Sequence, residues 1–340
     1  MLVTGGFSVA VLILAGLLIC LLLADLFVIR RLLVPRICDY FEKAPEFQVV
    51  PGFPVANAET VSFRTSDGLE LRGSVLNSDV CNPPGLVVYM PELKGNHWTA
   101  TRYCEALIRR GYVVFAFDFR SQGESEAAEN YSPIHWMTEY EMLDVGAAME
   151  FIESHPKLST LPILTFGVSR GGVAALLAGC RYPRVRGVIA DSAFGTRTMI
   201  RFFADRFGDL FVPRWLYRFL PEWHIARTLR KAVAVSESRR GCRYVHLEDE
   251  VSGLESDSVL LISGGADTYV SRSVARRIQA LAGPGSHLWI APRAKHNMAR
   301  SVHCSEYDRL VVEHAAACLQ SDAGGSRAAV SGEIATSDNS

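Results

Sequence analysis

Charge is missing from the start of the chain: no Asp, Glu, Lys or Arg occurs between Met1 and Ala24. No excess of either sign exists overall, since 35 Lys plus Arg face 36 Asp plus Glu for a formal net charge of −1. That balance gives no general electrostatic reason to bind nucleic acid, and none is expected as a partner. Cysteine shows no pattern. Cys20, Cys38, Cys81, Cys104, Cys180, Cys242, Cys304 and Cys318 are scattered without C-x-x-C spacing, which argues against a disulfide framework or a zinc site. Charged residues are only 21% against 49% hydrophobic, so a mainly disordered chain or a coiled coil is excluded. No internal repeat is visible. The 340 residues allow one large α/β domain with attachments, or two smaller domains.

What is abundant is apolar surface at one end. Phe7–Leu23 is almost entirely Leu, Ile, Val, Ala and Gly. Twenty-four uncharged residues make a helix of about 36 Å, enough for a hydrocarbon core of about 30 Å. A secretory signal would carry a basic leader and a small-residue cleavage site, and neither is present around this run. Residues 1–29 are therefore expected to form an uncleaved, single-pass anchor. Arg30, Arg31, Arg36 and Lys43 all follow it, and the positive-inside rule places the bulk of the chain in the cytoplasm. Residues 30–57, mixed and Pro-containing, read as a linker.

Beyond the linker, residues 58–320 alternate between strand-like and helix-like segments. Glu59–Arg64 and Leu69–Leu76 flank Ser66-Asp67-Gly68 as an antiparallel hairpin. Leu86–Met90, Tyr112–Asp118, Ile163–Val168, Val185–Ala190 and Val259–Ser263 are short apolar runs, suited to strands buried on both faces. A weaker strand, Ser286–Ile290, closes the set of eight. Helices are expected at Thr99–Arg110, Glu139–Ser154, Gly172–Cys180, Ser273–Ala282 and Val302–Leu319. The fold class is α/β, a mostly parallel eight-stranded sheet with helices on both faces. Residues 196–257, rich in Phe, Trp, Tyr and Arg, interrupt the rhythm as a helical cap. Residues 321–340 are Ser-, Gly- and Ala-rich and read as a disordered tail.

Gly167-Val168-Ser169-Arg170-Gly171 follows an apolar strand and opens a helix. This is G-x-S-x-G in its strand–turn–helix context, where glycines on both sides let the chain turn and lift a serine oxygen to the sheet edge. A serine needs a base, and the base an orienting acid. Asp267, in the loop after Val259–Ser263, and His296, after Ser286–Ile290, supply both in the order Ser, Asp, His. Asp191, at the end of another strand, is a second candidate acid. His97, His287, His303 and His314 have ordinary structural readings. No metal or organic cofactor is required.

On these motifs the chain resembles the α/β-hydrolase superfamily, especially its lysophospholipase-like and prolyl-aminopeptidase-like branches. Asp118-Phe119-Arg120-Ser121-Gln122-Gly123-Glu124-Ser125 is similar to that family's D-x-R-G-x-G-x-S loop. The resemblance implies an α/β-hydrolase fold and an oxyanion hole, here from the backbone N–H groups of Leu93 and Arg170. One departure stands out: Glu92 lies where relatives carry Gly after the third strand. An ionised Glu92 aimed into the hole would repel the developing oxyanion. It is therefore expected to pair with Lys94 or Arg170, to be protonated, or to bind a cationic group of the substrate. The function expected is a membrane-anchored serine hydrolase acting on an ester or thioester of a small acyl substrate, including lipids. An aminopeptidase-like amide hydrolase and a non-catalytic binding protein on the same scaffold are the alternatives.

Overall fold

The computed structural model describes residues 3–43 and 49–319. The expected disordered tail lies outside the described residues.

Eight strands form one sheet: β1 Glu59–Arg64, β2 Glu70–Leu76, β3 Leu86–Met90, β4 Val113–Phe117, β5 Ile163–Val168, β6 Val185–Asp191, β7 Val259–Gly264 and β8 His287–Ala291. Their spatial order is β1-β2-β4-β3-β5-β6-β7-β8. β1 and β2 pair antiparallel in the register of the expected hairpin, Glu59 opposite Val75 and Arg64 opposite Glu70. β2 is antiparallel to β4, and every later pairing is parallel. The apolar runs are continuous because both faces are covered. Val113, Phe115 and Phe117 of β4 enter one buried cluster, while Val114 and Ala116 enter the other.

Helices fill both faces. The long ones are α1 Val3–Val28, α2 Val34–Phe41, α3 Glu139–Ser154, α4 Arg170–Arg181, α5 Thr196–Phe207, α6 Glu222–Arg240, α7 Arg272–Ala282 and α8 Cys304–Leu319. The expected helix at 99–110 is broken at Cys104 into two short pieces, Ala100–Tyr103 and Glu105–Arg109. Helix α3 starts on a capping box: Thr138 Oγ1 accepts from the Tyr140 N–H, and Glu141 Oε2 accepts from the Thr138 N–H. The cap is shorter than expected. It comprises α5, the turn Arg214–Tyr217 and α6, and it ends where Gly241 takes the left-handed conformation at φ 62°. Residues 242–258 return to the main domain, with Tyr244, Leu247 and Val251 buried there.

Helix α1 is long and apolar enough to cross a membrane, and the side chains of Leu12, Ile13, Leu14, Leu17 and Leu18 are more than half exposed. Where a linker is expected from residue 30, the chain instead stays helical. Pro35 has no N–H to give and its ring crowds the preceding turn, and the ladder widens there into a π-turn, Ile29–Leu33, closed by the Val34 N–H on Ile29 O. Val34, Cys38 and Phe41 recur at helical spacing on the buried face of α2. They dock on the cap and main domain: Cys38 Sγ donates to Ala232 O at 3.2 Å, and Trp136 Nε1 donates to Phe41 O at 2.9 Å. Phe41 also stacks on Trp136 at 4.5 Å between ring centroids. Burying one such aromatic is worth roughly 1.5–3 kcal/mol, so this segment is a docked helix and not a free spacer.

Candidate active site

Ser169 sits between the end of β5 and the start of α4 with φ 53° and ψ −116°, a conformation that costs energy and persists only when its surroundings enforce it. Three features enforce it. The Ser169 N–H donates to Asp191 O on neighbouring β6 at 2.7 Å. A Cβ on Gly167 would lie 1.9 Å from Gly171 O, and one on Gly171 would lie 2.1 Å from Met90 O. Only hydrogen fits at either position, which is the physical content of the two glycines in G-x-S-x-G.

The loops after β7 and β8 carry Asp267 and His296 to the same edge. Ser169 Oγ is 2.9 Å from His296 Nε2, and His296 Nδ1 is 2.7 Å from Asp267 Oδ2. With Nδ1–H donating to the carboxylate, Nε2 keeps a lone pair for the serine hydroxyl. The other oxygen, Asp267 Oδ1, accepts from the N–H groups of Tyr269 and Val270 at 2.8 and 2.9 Å. The Tyr269 ring stands edge-on to the His296 ring at 5.2 Å. Ser169 and Asp267 are both buried, 6% and 7% exposed. Asp191 takes no part in this line. Its carboxylate accepts from Ser192 Oγ at 2.9 Å and Tyr307 OH at 3.0 Å, and burial pushes its pKa up to about 6.

Arg170 opens α4, so its backbone N–H belongs to the first turn, where no carbonyl four residues back is available within the helix. Its side chain is fully buried, donating to Glu141 Oε1 at 3.0 Å and to Gln122 Oε1. Glu141 thus joins the cap of α3 to the serine turn. Gln122 Nε2 in turn donates to Glu92 O at 3.3 Å and Gly95 O at 3.4 Å. The two segments expected to supply oxyanion donors are therefore tied together by one glutamine side chain. The sequence marks Gln122 only as part of the D-x-R-x-x-G-x-S loop. Asp118 anchors that loop by accepting from the backbone N–H groups of His97 and Glu124 and from His97 Nδ1.

The expected ion pair of Glu92 with Lys94 or Arg170 is not formed. Lys94 is exposed, with φ 65°, and Arg170 is held by Glu141 and Gln122. The Glu92 carboxyl instead folds under its own loop, 3.0 Å from where a Cβ on Gly95 would stand, with Oε2 buried and unbonded. Burial pushes its pKa up to about 7, and the charge of Asp191 acts in the same direction. Between about pH 4.5 and pH 7 the folded protein holds a proton that the unfolded chain has lost, so this group lowers stability as pH rises through that window. Glu92→Gln should therefore be more stable than the parent near pH 8, by up to about 3 kcal/mol, with the difference closing at about pH 4. Thermal melts of both proteins across that range check it; parallel curves would show that the carboxyl is not buried as described.

Comparison with known proteins agrees with this architecture. Residues 82–242 match the family model described as serine aminopeptidase, S33. An uncharacterized protein of Salmonella typhi, YfhR, is 25% identical over 185 residues, covering 49% of this chain and 60% of that protein. The thiohydrolase aneE of Aspergillus aculeatus is 31% identical over 132 residues, covering 38% of this chain and 40% of that one. The chain thus spans less than two thirds of either relative. Among solved structures, the Pyrococcus furiosus esterase Pf2001 superposes with a TM-score of 0.56 at 20% identity, over 82% of this chain and all of that one.

Proposed function

We propose that this chain, whose residues 82–242 match the serine aminopeptidase S33 model and whose fold is that of the α/β-hydrolases, is a serine hydrolase held at a membrane by α1 and cleaving an ester or thioester. The observation that supports this reading is the unbroken line of contacts Ser169 Oγ–His296 Nε2 and His296 Nδ1–Asp267 Oδ2, at 2.9 and 2.7 Å. Ser169 attacks the acyl carbonyl carbon while its proton passes to His296 Nε2. The charged imidazole is stabilised by Asp267 and returns the proton to the leaving oxygen or sulfur. The carbonyl oxygen, now anionic, lies against the N–H groups of Leu93 and Arg170, each worth roughly 3–4 kcal/mol in the transition state. Water then repeats the sequence on the acyl-enzyme and regenerates Ser169.

Glu92 bears on the amide alternative. An aminopeptidase needs a fixed anion for the substrate ammonium, whereas this carboxyl is tucked under Gly95 with burial favouring its neutral form. That favours esters. The exposed Arg30, Arg31, Arg36 and Lys43 follow the span and support a cytoplasmic domain. Arg214, Arg218, Arg227, Arg230 and Lys231 of the cap are exposed and pair with no carboxylate among the described residues. They suit a face turned toward anionic headgroups.

The test uses the full chain in detergent micelles with a fluorophosphonate probe. Wild type should become labelled and Ser169→Ala should not. A folded wild type that stays unlabelled would sink the hydrolase reading in favour of a binding protein. Faster cleavage of amino-acid anilides than of p-nitrophenyl esters would favour the aminopeptidase.

A further inference from the structure

The segment after β3 turns through Glu92-Leu93-Lys94-Gly95 and is closed by the Gly95 N–H, which donates to Glu92 O at 2.9 Å. That bond makes a β-turn with Leu93 and Lys94 at its centre and leaves the Leu93 N–H outside the closure. Lys94 stands at φ 65°, in the position where type II turns ordinarily take glycine. A non-glycine residue persists there only when its surroundings enforce it. The turn's own side chains do not: Lys94 is exposed, and Glu92 Oε2 is buried without a hydrogen-bond partner.

Gln122 grips the turn at its first and last residues. Its Nε2 donates to Glu92 O at 3.3 Å and to Gly95 O at 3.4 Å. Each bond is long, but both come from one amide. Glu92 O has a second lone pair for it beside the Gly95 N–H. The amide cannot turn over, because Arg170 Nη2 donates to its Oε1 and a guanidinium has no acceptor to offer an NH₂ group. Arg170 is itself immobile: fully buried, it donates through Nη1 to Glu141 Oε1 at 3.0 Å and Ile134 O at 3.2 Å, and its guanidinium lies 5.2 Å from the centre of the Phe119 ring. Gln122 is 7% exposed, between Ser121 at φ 58° and Gly123 at φ 53°. A Cβ on that glycine would lie 2.1 Å from Asp118 Oδ2, so the backbone that carries the amide is fixed as well.

We infer that Gln122 is a positioning residue for the oxyanion hole, setting the Leu93 N–H against the Arg170 N–H by tying the turn to the Arg170 side chain. Arg170 thus supplies one donor with its backbone and places the other with its guanidinium. The inference rests on the serine-hydrolase reading above. Losing one oxyanion donor costs about 10²–10³ in kcat, and a displacement of about 1 Å can cost about 10²-fold. Such donors act on the anionic oxygen of the transition state more than on the ground-state carbonyl, so the loss falls on kcat and spares KM.

The full chain in detergent micelles would be assayed on p-nitrophenyl butyrate beside Gln122→Glu and Gln122→Met. Glutamate keeps the length and the acceptor for Arg170, which matches its charge, but turns an oxygen toward the two carbonyls where the amide offered hydrogens. Methionine keeps the length with neither donor nor charge. Both variants should lose about 10²-fold in kcat with KM within about threefold of wild type. A trifluoromethyl ketone, whose adduct with the serine carries an anionic oxygen, should bind each variant about 10²-fold more weakly, since its oxygen needs the same two donors. Gln122→Glu decides alone if Gln122→Met does not fold by its melting curve. A folded variant with wild-type kcat, a loss confined to KM, or a fall in kcat without a matching loss of ketone affinity overturns the positioning role. The hydrolase reading would still stand if wild type cleaves the ester and Ser169→Ala does not. A wild type that neither cleaves the ester nor takes the fluorophosphonate overturns that underlying reading instead.

Discussion

Ser169→Ala should lower kcat on a p-nitrophenyl ester by on the order of 10⁶-fold, the loss typical of deleting a serine nucleophile. The expectation follows from the division of labour around one oxygen. The hydroxyl is 2.9 Å from His296 Nε2, and its backbone is held at φ 53° by neighbours that do not depend on the side chain. Alanine therefore removes the reacting atom and leaves the turn standing. What survives should come from binding and the oxyanion donors, roughly 10³–10⁴ over water in comparable systems. A double variant, Ser169→Ala with His296→Ala, should be no slower than the single one, because a base without its nucleophile has nothing to activate. Single-turnover and steady-state assays on the three proteins check this. Independent, multiplying losses would mean that the two side chains do not act as one unit, and a variant retaining more than about a hundredth of the activity would place the nucleophile elsewhere.

The sheet was legible because strands buried on both faces must be apolar throughout, and five such runs match β3 to β7 within a residue or two. The serine turn was legible for a steric reason: Gly167 and Gly171 stand where no Cβ fits. The docking of α2 was not. Its contact with Ala232 joins residues 194 apart in sequence, and Pro35 in a mixed composition reads locally as a break rather than as a π-turn. Gln122 was missed for a similar reason. Its role comes from reaching two segments at once, the loop after β3 and the side chain of Arg170, and no local pattern encodes that closure. Glu92 was noticed as an oddity, yet its surroundings belong to Gly95, Tyr89 and Asp191, which only the folded chain assembles. Composition announces which faces are buried; it is silent about which long side chains bridge them.

Asp267→Asn should lower kcat by about 10⁴-fold, the magnitude seen when the orienting carboxylate of such a set becomes an amide. Asp267 Oδ2 is 2.7 Å from His296 Nδ1, while Oδ1 is fixed by the N–H groups of Tyr269 and Val270. An amide can keep the two backbone donors on its oxygen only by turning its NH₂ toward Nδ1. The imidazole must then carry its proton on Nε2, where it can no longer accept from Ser169, and the developing positive charge loses its counter-ion. Asp191 is the control that sequence order alone could not supply. Its carboxylate is occupied by Ser192 and Tyr307, and what reaches Ser169 is its backbone oxygen, which Asp191→Asn leaves in place. That variant should stay within about tenfold of wild type on the same ester, far from the loss expected of a catalytic carboxylate. Measuring kcat for both, with melting curves to confirm that each is folded, separates the two acids. The reverse ranking would move the acid to β6 and reduce the His296–Asp267 contact to a structural one.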